Sequence, residues 1–167
     1  MRRYNPQGMP AVPADDCFIC RKHRGLEAVP GGAIYSDELV YAGHAQIRAG
    51  QVTAYLGYLM LEPRRHAAGL ADLTDLEAAA IGRLAACLSW ALKATEGADH
   101  VYAFVLGDHV PHLHVHLVPR HPGAPREYWG VRVDEWPDAP RGGAAEIEAA
   151  CARLRRAVHS RNVPQER

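Results

Sequence analysis

Pro111-His112-Leu113-His114-Val115-His116-Leu117-Val118-Pro119 is the stretch on which the reading of this chain turns. In an extended backbone, side chains alternate faces at about 3.3 Å per residue. His112, His114 and His116 then line one face roughly 6–7 Å apart, and Leu113, Val115 and Leu117 line the other. A helix would scatter the same rings around its axis, and the two prolines bracket the run. The stretch is predicted to be a strand with one packing face and one face of imidazoles. A single histidine on an apolar element is more often a hydrogen-bonded core residue than a ligand. Three neutral rings side by side on a core face, however, would each need a partner, so the row reads as functional.

Upstream, Val101 to Leu106 reads as a strand, and Gly107-Asp108 as the turn of a hairpin that makes it the antiparallel neighbour of the histidine strand. Asp72 to Gly97 carries the clearest helix. Thr74 and Glu77 have capping-box spacing, Gly97 supplies the stop, and Leu73, Leu76, Ala80, Leu84, Cys87, Leu88, Ala91 and Leu92 form an apolar stripe. Ala33 to Ser36 and Leu39 to Gly43 read as short strands. Val52 to Leu61 reads as a longer strand that ends at Glu62-Pro63, with His66 just beyond its exit. Residues 121–143 combine four prolines and four glycines with Tyr128, Trp129 and Trp136, which fits an ordered long loop better than disorder. A closing amphipathic helix over Ala145 to Ser160 buries Ile147, Cys151, Leu154 and Val158. Its arginines, Arg153, Arg155 and Arg156, with Arg161 beyond, are expected on a solvated face.

At 167 residues the chain fits one domain with room for a sizeable core. Nineteen basic residues balance nineteen acidic ones, which argues against generic binding to nucleic acid or a membrane surface. No apolar run approaches the ~20 residues that span a bilayer, and the N-terminus lacks the apolar core of a secretory signal. The expected location is the cytoplasm. Residues 1–16 read as a flexible N-terminal arm. Among four cysteines, Cys17 and Cys20 form a CxxC that suits one tetrahedral metal, a redox pair, or simply two half-buried thiols. Cys87 and Cys151 read as core.

His112-Leu-His114-Val-His116-Leu-Val-Pro119 matches the pattern His-φ-His-φ-His-φ-φ, with φ apolar, and so resembles the histidine-triad family of small nucleotide hydrolases and transferases. Gly57-Tyr-Leu-Met-Leu-Glu-Pro63-Arg-Arg-His66 is similar to that family's Gly-His-x-Leu-x-x-Pro-Lys-x-His segment, and the order of elements over residues 17–120 agrees. The resemblance implies an α+β fold: an antiparallel sheet of about five strands with one long helix, a C-terminal helix over the 121–167 extension, and a homodimer. It implies that His114 attacks phosphorus to give a phospho-histidine intermediate, and that His116 contacts a phosphoryl oxygen. His112 completes the catalytic row. The CxxC is similar to that of zinc-carrying members, among relatives such as diadenosine-polyphosphate hydrolases, and this implies a structural zinc on Cys17, Cys20, His66 and His112.

Four positions depart from the family pattern. Asp108-His109 stand where a phosphate-contacting Gln and Ser are usual, Ala45 stands near the usual ribose-binding acid, and Gly57-Tyr58 replaces Gly-His. Asp108, His109 and Trp129 are the candidate substrate-binding residues; Trp129, with Tyr128 and Arg126, either caps a substrate or pins the loop to the surface. The expected partner is a nucleotide-like small molecule, with no nucleic acid and no membrane. Two alternatives stay open: a non-catalytic, zinc-braced nucleotide-binding module, and a catalytic metal held by His112, His114 and His116 together.

Overall fold

Thr74 and Gly97 bound the longest element as their chemistry predicts. In the computed structural model, which describes residues 15–162, helix α2 spans Asp75–Glu96. Thr74 Oγ1 accepts from the Glu77 amide at 3.3 Å, Glu77 Oε2 accepts from the Thr74 amide at 2.8 Å, and Gly97 takes the left-handed conformation at φ 68°. The buried row runs through Glu77, Ile81, Leu84, Leu88 and Ala91. Leu76, expected on the stripe, is 71% exposed. It sits one residue, about 100°, away from that row, and Glu77 takes the inward place because Arg65 neutralises it. The arm expected over residues 1–16 falls almost wholly outside the described residues.

Five strands form one antiparallel sheet in the order β1 (Ala33–Ser36), β2 (Val40–His44), β4 (Leu59–Pro63), β6 (Val115–Arg120), β5 (His100–Phe104). The α+β class and the five-stranded antiparallel sheet agree with expectation. Val40, Ala42, Leu59, Leu61, Val115 and Leu117 bury one face against α2 and α3 (Ala144–Asn162), which adds Ile147, Cys151, Leu154 and Val158. Each fully buried leucine there contributes about 1.5–3 kcal/mol. By alternation the opposite face carries Met60, Glu62, His116 and Val118.

Three local expectations are corrected. The single strand over Val52 to Leu61 is two: β3 (Ala54–Tyr55) and β4, separated at Gly57. Gly57 has φ +79°, and a Cβ there would stand 3.0 Å from Pro119 Cγ, so the backbone can turn here only because this residue has no side chain. The histidine strand begins at Val115, where pairing with Leu61 starts. His112 and His114 precede it, because the His112 and Leu113 amides donate to the Val110 and Ala67 carbonyls instead of to a neighbouring strand. β5 does pair with β6, but the chain between Phe104 and Val115 is a long connection rather than a two-residue turn.

Residues 121–143 are ordered as 3-10 turns at Arg126–Tyr128 and Gly130–Glu135, followed by β7 (Arg141–Gly142), which pairs with β3. Val133 is completely buried and packs with Tyr55, Val118 and Ala139. A short helix the sequence did not announce, α1 (Phe18–His23), starts at the first cysteine. The α3 arginines lie mostly on an exposed face, as expected, and three of them also have fixed partners. Arg153 pairs with Glu96 at 2.7 Å, Arg155 donates to the Gly31 and Ala33 carbonyls, and Arg161 lies over the Trp90 ring. Among the described residues, no helix is long and apolar enough to cross a membrane.

Candidate active site and metal centre

Cys17 caps α1 and Cys20 lies on its first turn. His66 follows β4, and His112 precedes β6. Their ligand atoms all lie within 4.8 Å of one another. Cys17 Sγ and Cys20 Sγ are 3.5 and 3.4 Å from His112 Nδ1, and Cys20 Sγ is 3.3 Å from His66 Nδ1. A tetrahedral zinc with bonds of about 2.3 Å to sulfur and 2.0–2.1 Å to nitrogen holds its donors roughly 3.3–3.8 Å apart, so the four residues fit that ion. His112 Nε2 lies 2.9 Å from the Pro63 carbonyl. Donation there fixes the tautomer and leaves Nδ1 bare for a metal. Burial pushes the Cys20 thiol up to about 11 and His112 down to about 4. Without a cation the sulfur keeps its proton and the ring stays neutral, whereas a divalent ion would be bound with release of thiol protons.

The other two histidines face elsewhere. His114 Nδ1 lies 2.7 Å from the His112 carbonyl, an acceptor only, so Nδ1 carries a proton and the neutral ring has its lone pair on Nε2. The His116 ring centroid is 5.0 Å from that of His114 and stacks on Phe104 at 5.0 Å and 14°. Its Nδ1 is 2.8 Å from the Tyr58 hydroxyl, while Nε2 is buried with no protein partner. Burial, aided by His114, pushes His116 down to about 4, so the ring is neutral near pH 7.

His114 and His116 open on a cavity of about 630 Å³, within the range of small-molecule sites. Phe18, Ile19, Ile47 and Val110 give it apolar walls, and Arg48, Asp134 and Arg141 give it polar ones. His109 lines it and Asp108 does not. Trp129 also lies outside its lining: its indole donates to the Ala124 carbonyl and its ring lies under the Arg120 guanidinium at 3.9 Å. Ala45 lines the cavity without a carboxylate. The three histidines therefore do not converge on one ion: His112 turns to the cysteines, and the Nδ1 atoms of His114 and His116 are tied to a carbonyl and a phenol.

The family model of the HIT domain matches residues 28–123, more than half of the chain. The chain belongs to the histidine-triad (HIT) family. Among solved structures it is similar to a zinc-bound histidine-triad family protein from Mycobacterium smegmatis: 18% identity, 89% of this chain and 97% of that one covered, TM-score 0.65. It is similar also to a hypothetical histidine triad nucleotide-binding protein from Sulfolobus tokodaii, at 18% identity, 86% and 93% coverage and TM-score 0.64. A histidine triad protein from Bradyrhizobium japonicum is 28% identical over 75% of this chain and 89% of its own, with TM-score 0.55. Comparison with curated proteins gives no match.

Around the HIT motif the structure assembles residues that the sequence reading passed over. Glu62 is 2% exposed and accepts from Lys22 Nζ at 2.6 Å and pairs with His23 Nε2 at 2.8 Å. Burial works against its charge, but these hydrogen bonds outweigh it and hold the carboxyl below the ordinary range. This buried knot pins α1, and with it the cysteines, to β4. Nothing local in the sequence marks Lys22 and Glu62 as partners forty positions apart. Tyr58 was within reach: alternation with Leu59 and Leu61 already places it, like Met60 and Glu62, on the imidazole side.

Proposed function

We propose that this protein is a hydrolase or nucleotidyl transferase that attacks phosphorus through His114. The observation that carries the reading is the tethered ring of His114, with Nδ1 on the His112 carbonyl and the imidazole lining the cavity. In the proposed reaction the Nε2 lone pair attacks phosphorus, the bond to the leaving group breaks, and a nucleotidyl-histidine forms. Water or another acceptor then attacks the same phosphorus and returns the histidine. His116 Nε2, buried and without a protein partner, would donate to a phosphoryl oxygen as negative charge builds on it. His112 contributes by position, since its carbonyl orients His114 and its ring belongs to the metal set. The substrate class is a phosphoanhydride, phosphoramidate or related nucleotide, and dinucleoside polyphosphates of the diadenosine type belong to it. His109 lines the cavity that would receive the phosphate, and a homodimer is part of the same reading.

A structural zinc on Cys17, Cys20, His66 and His112 would brace the turn that leads into His114. These four residues would fill a tetrahedral set and leave no place for a catalytic water.

The test is a screen of the pure protein against adenosine phosphoramidates, dinucleoside polyphosphates and nucleotide-sugars, with mass spectrometry of the trapped adduct. A nucleotidyl group on His114, with turnover lowered at least about 10³-fold in His114→Asn, is the expected result. Full turnover in that variant would reject the mechanism. Ala45, which leaves the cavity without the usual acid, favours a second reading, a zinc-braced module that binds a nucleotide without turning it over. Saturable nucleotide binding with no adduct and no turnover would select it.

A further inference from the structure

We infer that Tyr58 is a positioning residue whose hydroxyl locks His116 in the tautomer that carries its proton on Nε2, facing the cavity. The two side chains lie on the same sheet face: Met60 of β4 pairs with His116 of β6, and Tyr58, immediately before β4, lies two residues before Met60. Their 2.8 Å contact allows two proton arrangements. If His116 Nδ1–H donated to the phenol oxygen, the Tyr58 hydrogen would need another acceptor, and among the described residues the Tyr58 hydroxyl has no protein partner besides His116. If instead Tyr58 O–H donates to Nδ1, the phenol hydrogen and the Nδ1 lone pair satisfy each other. The remaining proton then lies on Nε2, the atom left buried and unpartnered beside His114.

The surroundings keep this arrangement fixed. Phe104 stacks flat on the imidazole, and Tyr58 packs against the cluster of Tyr55, Val118, Val133 and Ala139, which limits rotation. Around the pair the ionisable groups are His114 and Glu62 on the His116 side and Asp134 and Arg48 on the Tyr58 side. Burial pushes Tyr58 up to about 12, so the phenol holds its proton throughout the working range. Where the family pattern has histidine, this chain thus uses a side chain with one hydrogen and no titration near neutrality. The catalytic consequence rests on the proposed attack by His114, in which a neutral His116 Nε2–H meets the phosphoryl oxygen.

Nitrogen NMR of histidine-labelled, full-length protein at pH 7 tests the assignment without any substrate. Wild type is expected to show His116 as the Nε2–H tautomer with a hydrogen-bonded, bare Nδ1. Tyr58→Phe keeps the shape but removes the proton, and is expected to give a mixture of tautomers at His116 with His114 unchanged. With adenosine 5′-phosphoramidate as probe, kcat should fall about ten-fold in Tyr58→Phe, with KM within two-fold and partial rescue in Tyr58→His. That loss is smaller than the ~10²–10³ for deleting a donor to the developing charge itself. A proton on Nδ1 in wild type, or an unchanged His116 spectrum in Tyr58→Phe, overturns the inference. A wild-type spectrum as expected together with no phosphoramidate turnover and no adduct would leave the tautomer assignment standing and reject the proposed reaction instead.

Discussion

His116 shows how position sets the chemistry of one side chain. Burial holds its pKa at about 4, whereas in the unfolded chain an imidazole titrates near ~6.5. Between these values the unfolded state binds more protons than the folded one, so stability is full above about pH 6.5 and is lost as pH falls toward 4. The urea midpoint should drop over that window, and more shallowly in His116→Gln. Parallel slopes for the two proteins would show that other groups dominate. Gly57 makes the same point for backbone. Its φ of +79° and the Pro119 ring 3.0 Å from a would-be Cβ predict that Gly57→Ala costs about 1–3 kcal/mol, read as a shift in thermal or denaturant midpoint.

Two helices depend on their first turns in different ways. For α2 the support is local and complete. Thr74 and Glu77 cap each other, and the Arg65 guanidinium on both Glu77 oxygens holds that carboxyl down to about 2. Thr74→Ala should cost about 1 kcal/mol. Glu77→Ala should cost more, since it also leaves Arg65 unpaired, and its contribution in wild type should fade only as pH drops below about 4.5 toward 2. Helix α1, with six residues, is too short to stand by propensity. It is held by the metal set and by the Lys22–Glu62–His23 knot. Loss of zinc, by chelation or by Cys20→Ser, is expected to raise amide exchange over residues 17–24 while α2 stays protected, with metal content falling from one zinc per chain. Because Phe18, Ile19 and Lys22 line the cavity, weaker ligand binding should accompany it. Unchanged exchange over 17–24 would show that the knot alone suffices.

Across the whole molecule, the sheet separates two jobs. One face makes the core with α2 and α3, and the other carries His116 and is packed in part by Val133, Trp136 and Ala139 from the segment 126–142. That segment lies beyond the family match yet places Asp134 and Arg141 on the cavity wall. The α+β class, α2 with both caps, α3 and the alternation after Val115 were legible because each rests on neighbours within a few residues: capping pairs, a 3.6 period, a period of two. The metal set could be named from Cys17, Cys20, His66 and His112 only through resemblance to a family, since spacing alone left CxxC ambiguous. Much else depended on distant pairing. The break at Gly57 needs Pro119, the start of β6 needs Leu61 and Ala67, and the setting of Trp129 needs Arg120 and the Ala124 carbonyl. The sequence by itself determined which segments fold and which residue types carry chemistry, through interactions a few positions long. Only the tertiary structure decided which nitrogen of each histidine faces which neighbour, because the partners, Pro63, Tyr58 and Phe104, are brought close by strand register and not by sequence proximity.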